Sequence, residues 1–590
     1  MNRNLVSIVI MSLLLAACGG GTSSSPALVT VSPSQIPVPT PTASTVDKRY
    51  KFEPFSYTYM LPTGETSVRY QLGEFKSPDQ FLKSANFKIE DYGFFEATVT
   101  GLNNGCPRSE CGEEYAAPGP WNHRPYQIIE SDINRDGHKD FYLFEWIHNS
   151  RADAPDDLIH AFINDGQGHF MLSNDSVFDS GKACTSSGAE FPAQFGGSPT
   201  ALPKERNSKC GYQLGVVRHV LVADFNKDGM EDIFGGMVLQ LSNGSKLYNK
   251  TLTNLPEYFR TDHMDPLFTH DQYAADATGD SNLDIFMPAR LTAVKGYWGD
   301  GTRIAGCTEC VATVPWSLLV NDGTGKFTLN QNFPIMGVGK DHPLVKQYMP
   351  HNDPGKGVLW GGNVEALWAT TSAIADFNKD GHPDVVVGWF NPRATEAWGL
   401  GKNSAGAVYY NDGKNDWRNR PIMTLPASFY NSNGNANDME VMDFDEDGWV
   451  DIIVASTKQT PYYEGRVIQF FKNNRDGTFI DVTSSVYSDY ARYANGTGTP
   501  LWNGEGQLRL VDFNGDGRLD IVDSIAHTYV LLNSGNGRFT LFDSTNFPKE
   551  SESDVTYFPV KLDSKYGFIG YRISCSSNSC TTSYFQVKPN

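Results

Sequence analysis

The sequence predicts an all-β protein, built as a β-propeller of seven blades. Three observations favour this fold: a composition rich in turn-forming residues, an acidic nine-residue loop that recurs six times, and a second Asn/Asp/Gly turn that follows most copies of the loop. Six blades would each carry one acidic loop, and the C-terminal segment would supply one more blade. Six or eight blades remain open at this point.

The composition is the first of these observations. Only 39% of the 590 residues are hydrophobic, whereas aromatic residues reach 12% and glycine and proline are frequent. This profile is typical of a turn-rich β protein, and the length allows several domains or one large repeat array. After the N-terminus no apolar run approaches the ~18 residues that a membrane helix needs, so we expect a soluble body.

The acidic loop follows the pattern D-x-[DNT]-x-D-G-x-x-D, as in DFNKDGMED from Asp224. An EF-hand loop opens in the same way but ends with a bidentate Glu at position twelve. None of the six copies has Glu there, which excludes the EF-hand. The residues at position twelve are Leu143, Gly235, Met287, Val387, Val454 and Asp523.

Side-chain oxygens at positions one, three, five and nine of each loop are predicted to bind Ca²⁺, a hard cation that prefers several oxygen ligands. A backbone carbonyl near position seven would complete the shell, and glycine at position six permits the sharp turn. The third copy is the weakest, because Thr278 stands at position three and Ser281 replaces the glycine. The predicted ligands are Asp132, Asn134, Asp136, Asp140, Asp224, Asn226, Asp228, Asp232, Asp276, Thr278, Asp280, Asp284, Asp376, Asn378, Asp380, Asp384, Asp443, Asp445, Asp447, Asp451, Asp512, Asn514, Asp516 and Asp520.

The residues around each loop predict strands. Apolar residues such as Ile374-Ala375 precede the loop, and β-branched runs such as Val385-Val386-Val387 follow it, so the loop is interpreted as a metal-stapled hairpin turn. Turns such as FINDGQGHF and LVNDGTGKF then indicate a second hairpin, which makes one unit about four short antiparallel strands. Successive loops start between 52 and 100 residues apart, a variation that favours a propeller over a solenoid. The C-terminal stretch YFPVKLDSKYGFIGYRI has the strand content of a further blade but no calcium loop. A strand from the N-terminal region is a candidate to close the ring.

The units resemble FG-GAP/VCBS repeats, the calcium-loop blades of integrin α-subunit propellers and of many bacterial surface proteins. The resemblance covers roughly Pro125 to the C-terminus, so residues 124–590 are assigned to the propeller. It implies about six Ca²⁺ ions in a structural role, which we favour over a calcium-sensing switch. Residues 48–123 do not match and are interpreted as a β-rich segment or partial blade, a cap or a small separate domain.

The N-terminus is predicted to be a targeting segment. Arg3 precedes the apolar run LVSIVIMSLLLAA, and the residues Leu15 to Cys18 resemble the bacterial lipobox. This resemblance implies that residues 1–17 are a signal peptide and that Cys18 is lipidated; an ordinary secretory signal is the alternative. Gly19 would favour the outer membrane, with residues 18–47 as a flexible Ser/Thr/Pro-rich tether. We therefore expect a lipoprotein of the bacterial envelope, periplasmic or surface-exposed, that meets the membrane only through its lipid.

The remaining eight cysteines are predicted to form disulfides, because an even count in an exported chain favours them. Six lie in tight pairs, and local pairing is the preferred connectivity among many. CTEC is also open to interpretation as a redox motif or zinc half-site. The predicted pairs are Cys106 with Cys111, Cys184 with Cys210, Cys307 with Cys310, and Cys575 with Cys580.

The charge and the motifs limit the function. The formal net charge is -20, and nineteen of the predicted ligands are carboxylates, so the acidity is mostly that of metal sites. It argues against nucleic acid or an anionic membrane surface as a partner. There is no G-x-S-x-G, H-E-x-x-H or P-loop, and His219 and His270 are interpreted as packing residues. The balance favours a protein that is not an enzyme.

Tryptophans in Gly-rich insertions are the remaining functional signal. GYWGDGT, VLWGGNVEALW, WFNPRATEAWGLG and TPLWNGEG combine tryptophan with amides and carboxylates, which suits carbohydrate rings; packing between blades is the alternative for any one tryptophan. The preferred hypothesis is a non-catalytic binding or adhesion module for a glycan or protein. A lyase-like polysaccharide-degrading enzyme and a scaffold in an outer-membrane assembly are the alternatives. The oligomeric state stays open.

Overall fold

The computed structural model describes only part of the chain. The described residues are 56–60, 67–71, 87–100, 124–146, 158–166, 170–179, 219–235, 238–256, 271–295, 311–330, 369–413, 417, 421–461, 464–495, 504, 506–525, 529–542, 556–562, 565–576 and 579–589. Several predictions fall outside them: the signal peptide 1–17, the tether 18–47, Cys18, His270, and the cysteines Cys106, Cys111, Cys184, Cys210, Cys307 and Cys310.

Within these described residues, thirty strands form seven antiparallel sheets. Three strands precede the first acidic loop's blade: β1 (Ser56–Met60), β2 (Ser67–Gln71) and β3 (Phe87–Thr100). Blade 1 consists of β4 (Arg124–Ser131), β5 (Asp140–Trp146), β6 (Leu158–Asn164) and β7 (Phe170–Leu172). Blade 2 consists of β8 (Leu221–Ala223), β9 (Asp232–Gly235), β10 (Val238–Ser242) and β11 (Leu247–Asn249). Blade 3 consists of β12 (Tyr273–Ala275), β13 (Asp284–Lys295), β14 (Val311–Asn321) and β15 (Phe327–Leu329).

Blades 4 to 6 repeat this order, and three C-terminal strands follow them. Their strands are β16 (Ala369–Ala375), β17 (Asp384–Trp389), β18 (Gly406–Tyr409) and β19 (Ile422–Thr424); β20 (Gly434–Met442), β21 (Asp451–Lys458), β22 (Val467–Asn473) and β23 (Phe479–Asp481); β24 (Gly506–Val511), β25 (Asp520–Ile525), β26 (Tyr529–Asn533) and β27 (Phe539–Phe542); and lastly β28 (Thr556–Leu562), β29 (Lys565–Ser576) and β30 (Ser579–Pro589). The short helices are α1 (Asn174–Val177), α2 (Thr251–Asn254) and α3 (Thr483–Val486), with 3₁₀ turns at Pro392–Ala394 and Asn431–Asn433.

The inner strands of the blades are buried on both faces, because each blade is covered by a neighbour on either side. In β21 the run DIIVAST is wholly buried, and every residue of β17 is buried as well. Strands buried on both faces have nearly continuous apolar sequences, without the alternation of apolar and polar residues that is typical of half-buried strands. The outermost strands are more exposed: in β27 only Phe539 is buried.

Apolar clusters hold consecutive blades together. One cluster joins Ile129 of blade 1 to Val222 of blade 2, and another joins Ile453 of blade 5 to Leu531 of blade 6. A third contains Val522 of blade 6 and Phe568 of the C-terminal sheet. The hydrophobic core is therefore a series of layers between blades, as expected for a repeat protein.

The seventh blade closes the ring with strands from both ends of the described chain. Its sheet has the order β1-β2-β3-β30-β29-β28, and β28 contacts β25 of blade 6 and β4 of blade 1. The long strand β3 pairs with β30, for example Ala97 opposite Thr582. The prediction of an all-β propeller with seven blades, six of them with acidic loops, is confirmed.

Two further observations concern the last hairpin and the helices. In the β29–β30 hairpin, Cys575 stands opposite Cys580 in the backbone register. In the part of the chain that the structure describes, no helix has the length and hydrophobicity to cross a membrane.

Candidate functional site

Each acidic loop joins the first and second strands of its blade, as predicted. The backbone takes a left-handed conformation at positions four and six. In the first loop Arg135 has φ +60° and Gly137 has φ +88°. In the third loop the same two conformations are taken by Gly279 (φ +78°) and Ser281 (φ +69°). The third copy thus keeps the shared geometry although a serine stands where the other copies have glycine.

The loop's carboxylates accept hydrogen bonds from the loop's own backbone. In the second copy Asp224 accepts the amides of Asp228 (3.1 Å) and Gly229 (2.8 Å), and Asp228 accepts the amide of Met230 (2.8 Å). The equivalent bonds recur in the later copies, for example from Gly381 to Asp376. The amides turn toward the acidic side chains and offset part of their negative charge.

The carboxylate at position nine fastens the loop to the third strand. Asp232 accepts the amide of Phe225 (2.7 Å) with one oxygen and the amide of Ser242 (2.6 Å) with the other. Ser242 ends β10, so a single buried side chain connects the loop to a strand that follows it. The six position-nine residues, each at most 1% exposed, are Asp140, Asp232, Asp284, Asp384, Asp451 and Asp520.

Burial of these carboxylates makes their ionised form costly. It raises the pKa of Asp232, Asp384 and Asp451 to about 7 and that of Asp284 to about 6, although backbone hydrogen bonds oppose the shift. Neighbouring loop carboxylates raise these pKa values further by repulsion. A cation among the carboxylates would favour their ionised forms.

The donor set fits a hard cation. Asp132 Oδ1 at position one is buried and has no hydrogen-bond partner among the described residues. In the fifth loop one oxygen each of Asp443, Asp445 and Asp447 lie within 4.8 Å of one another. Oxygen donors in this arrangement suit Ca²⁺.

Two basic side chains outside the fifth loop, which sequence reasoning missed, contact its carboxylates. Lys472 donates to Asp445 and, at 2.8 Å, to Asp447, which also accepts from Arg475 (3.0 Å). Burial opposes ionisation of Asp447, but these donors outweigh it and lower its pKa to about 2. This loop, the only one of the six with four acidic ligands, therefore has part of its extra charge offset from β22 and the turn after it.

The second turn of the unit ties neighbouring blades together. The side-chain amide of Asn321 donates to the Phe225 carbonyl in the loop of the preceding blade (2.8 Å). Asn411 and Asn473 make the same bond to position two of the loops before them, at 2.8 and 2.9 Å. The sequence predicted this turn as a hairpin only, because its contact with another blade has no local signal.

A polar residue lies at the propeller axis in, or just before, the innermost strand of each of blades 1 to 6. Every one of these residues stands five positions before the first Asp of its loop, and none is more than 3% exposed. They are Gln127, His219, Asp271, Thr371, Asp438 and Gln507. A polar residue at a constant distance before each loop, within an apolar flank, was a readable signal that the prediction overlooked.

Irregular backbone precedes several of these axial positions. The register of β4 shifts between Pro125 and Gln127, and that of β20 shifts between Ala436 and Asp438. A bulge re-aims the side chain that follows it. His219, interpreted above as a packing residue, is indeed buried, but it faces Asp271 and Asp438.

The two tryptophans of the insertion WFNPRATEAWGLG belong to the core. Trp389 and Trp398 of the insertion WFNPRATEAWGLG are 0% and 2% exposed, in a cluster that includes Leu318 of blade 3. They are therefore not available as a sugar-stacking surface, and packing between blades is the correct interpretation for them. The other three tryptophan-bearing insertions lie wholly or mostly outside the described residues, including all of their tryptophans.

Ser281→Gly should stabilise the protein by about 0.5–1 kcal/mol. Glycine avoids the strain of a Cβ in the left-handed conformation, and this gain exceeds the larger conformational entropy that glycine loses on folding. The reverse change, Gly381→Ser, should destabilise it, since Gly381 has φ +90°. A Cβ at Gly381 meets no atom within 4 Å, so the effect would come from the backbone alone. Thermal unfolding of both variants measures this; equal melting temperatures would contradict it.

Comparison with known proteins agrees with the fold. A family model described as an FG-GAP-like repeat matches residues 376–454 and 443–523, from the loop of blade 4 into β25 of blade 6. No curated protein matches the chain.

Among solved structures, the chain is similar to the Dos1 propeller, with 9% identity over 90% of this chain and 94% of that one and a TM-score of 0.31. It is also similar to the S. cerevisiae core factor, with 9% identity, 79% and 58% coverage and a TM-score of 0.32. The V. cholerae biofilm matrix protein Bap1 has 10% identity, 90% and 87% coverage and a TM-score of 0.21. None of these likenesses bears on function. The repeats of residues 376–523 are FG-GAP-like, and they form part of a seven-bladed, all-β propeller.

Proposed function

We propose that the chain is a calcium-stabilised propeller that acts as a non-catalytic binding or adhesion module for a glycan or protein. The observation that carries the proposal is the set of six loops with one shared geometry, in a ring with FG-GAP-like repeats. A ring locked in this way is a rigid support for variable insertions, and binding residues concentrate in such loops. The net charge of -20 argues against nucleic acid as the partner.

Calcium would stabilise the ring by binding the folded loops. The oxygen-only donor set, the unpartnered Asp132 oxygen and the raised pKa of the buried carboxylates all support this role. At a free concentration of ~100 times Kd, each ion would contribute roughly 2.7 kcal/mol. About six ions would make the fold strongly dependent on calcium.

Export and lipidation complete the proposal. The sequence Leu15-Ala16-Ala17-Cys18 supports an envelope lipoprotein anchored at Cys18. The four predicted disulfides belong to the same proposal, since an exported chain meets an oxidising compartment. The register that sets Cys575 opposite Cys580 supports the last of them.

Asp380→Ala should lower the melting temperature in saturating calcium, because it removes an exposed position-five ligand. The control is Asp322→Ala, another exposed aspartate, which bonds locally to Thr324 outside the acidic loops. With calcium chelated, the deficit of Asp380→Ala should shrink, since a repulsive carboxylate has gone. A calcium-induced shift equal to that of the parent protein would contradict the assignment of this loop.

The chelated protein should be more stable at pH 5.5 than at pH 8. The raised pKa values of the position-nine carboxyls mean that the folded state holds protons which the unfolded state releases. The stability that these protons contribute is fully present below the carboxyl pKa of the unfolded chain, about 4. It is lost as the pH rises through 6 to 7, the pKa range of these carboxyls in the folded state. Calcium should therefore raise the melting temperature most at pH 8.

High salt separates this effect from long-range repulsion, because it screens exposed charges far more than buried ones. The trend of the chelated protein should persist in 1 M NaCl, where the screening length is about 3 Å. Melting temperatures that are flat, or that rise between pH 5.5 and pH 8, would rule out the buried carboxyls as its source.

Cys18→Ser should convert a membrane-bound protein into a soluble exported one. Labelling with a fatty-acid analogue and fractionation of a bacterial envelope measure this. Label incorporated equally by both proteins would remove the lipoprotein proposal.

The Cys18→Ser protein, kept in calcium, is suited to a screen against glycans and polysaccharides and to capture of envelope proteins. The screen should record both binding and the release of unsaturated or reducing ends. Saturable binding of one glycan or protein class without product would support the proposal. Product formation would replace it with an enzyme, and neither binding nor product in any arm would overturn it.

A further inference from the structure

Three of the axial residues form a compact cluster, which we call the axial triad: His219, Asp271 and Asp438. They come from blades 2, 3 and 5 and are 3%, 1% and 1% exposed. His219 Nδ1 lies 3.6 Å from Asp271 Oδ1, and His219 Nε2 lies 3.5 Å from Asp438 Oδ1. One candidate ligand atom from each residue lies within 4.8 Å of the other two. The triad thus connects blades that are not all neighbours in the ring.

Other blades hold the two carboxylates in place. Asp271 Oδ2 accepts the hydroxyl of Thr371 in blade 4 (2.9 Å), and Asp438 Oδ2 accepts the amide of Leu508 in blade 6 (2.6 Å). Each Oδ1 atom accepts the amide next to it in the chain, from Gln272 (3.1 Å) and Met439 (2.8 Å) respectively. Each carboxylate therefore directs Oδ1 toward the imidazole from a fixed position, as second partners do for metal ligands.

The distances in the triad are too long for hydrogen bonds from a ring nitrogen, which are about 2.7–3.2 Å. They match two ligands of one ion: bonds of about 2.1 Å at tetrahedral angles separate ligand atoms by roughly 3.4 Å. Because the carboxylates approach opposite ring nitrogens, a single ion would bind one nitrogen after a modest rotation of the imidazole.

The charge at the axis also favours a cation. Arg466 lies near enough to interact with Asp438, but its guanidinium is already paired with Asp523 through two bonds of 2.5 and 2.8 Å. Asp271 and Asp438 bring two buried carboxylates to the axis, and a divalent ion bound between them and His219 would offset negative charge there.

We propose that His219, Asp271 and Asp438 bind one divalent transition-metal ion on the propeller axis, separate from the six acidic loops. One nitrogen and two carboxylate donors suit Zn²⁺ or Mn²⁺, whereas Ca²⁺ and Mg²⁺ prefer oxygen alone. The ion would tie blades 2, 3 and 5 across the ring. Its burial gives it a structural rather than a substrate-binding role.

Cobalt(II) is the probe, because its visible absorption reports a nitrogen-containing site. The Cys18→Ser protein is titrated with Co²⁺ in excess Ca²⁺, which keeps the acidic loops filled. We expect one Co²⁺ per chain with an absorption band, and at least ~10-fold weaker binding in His219→Gln and Asp438→Asn. The matched control is His160→Gln, which alters a buried histidine that contacts Asn174 instead.

Thr371→Val keeps all three ligands and tests the support of Asp271. It should weaken Co²⁺ binding by ~10-fold or more without altering the fold, which circular dichroism checks. Equal Co²⁺ binding by the parent protein and by folded His219→Gln would overturn the proposal. Absence of Co²⁺ binding would also overturn it, and would leave His219 as an imidazolium between two carboxylates.

Discussion

The carboxylate at position nine of each acidic loop is the contact on which the blade depends. It accepts amides from the loop with one oxygen and, with the other, an amide at or just after the end of the third strand, so it ties the loop to that strand. The same contact is costly, because a buried carboxyl loses hydration; its pKa is raised to about 7 in three of the six loops. The other acidic side chains of the loop lie around this carboxylate, and as ligands of the proposed cation they would reduce the cost of burying its charge.

Apolar and polar contacts between blades have different roles in the ring. The clusters between blades bury strands on both faces and supply most of the free energy of folding. In three blades the asparagine of the second turn adds a directional contact, since Asn321, Asn411 and Asn473 donate to carbonyls in the preceding blade's loop. The axial residues add a further set of polar contacts across the centre. Register between blades is thus specified by hydrogen bonds, which tolerate less displacement than apolar packing.

The distribution of burial limits where binding can occur. Trp389 and Trp398 are committed to the core, and the axial residues are almost wholly buried. Neither set offers a surface to a large ligand. In the proposed function, binding is therefore assigned to the insertions between blades, carried by a ring whose rigidity comes from its loops and its axis.

The sequence alone determined the repeat, the blade architecture and the six loops, because these depend on local signals: turn residues, runs of strand-forming residues and fixed spacing. Tertiary structure decided what no local pattern encodes. Pairing of β3 with β30, burial of Trp389 and the meeting of His219 with Asp438 all join residues far apart in the chain. Such contacts depend on how the blades close around the axis. The constant position of the axial residues before each loop was visible in the sequence, but only the ring gave it a meaning.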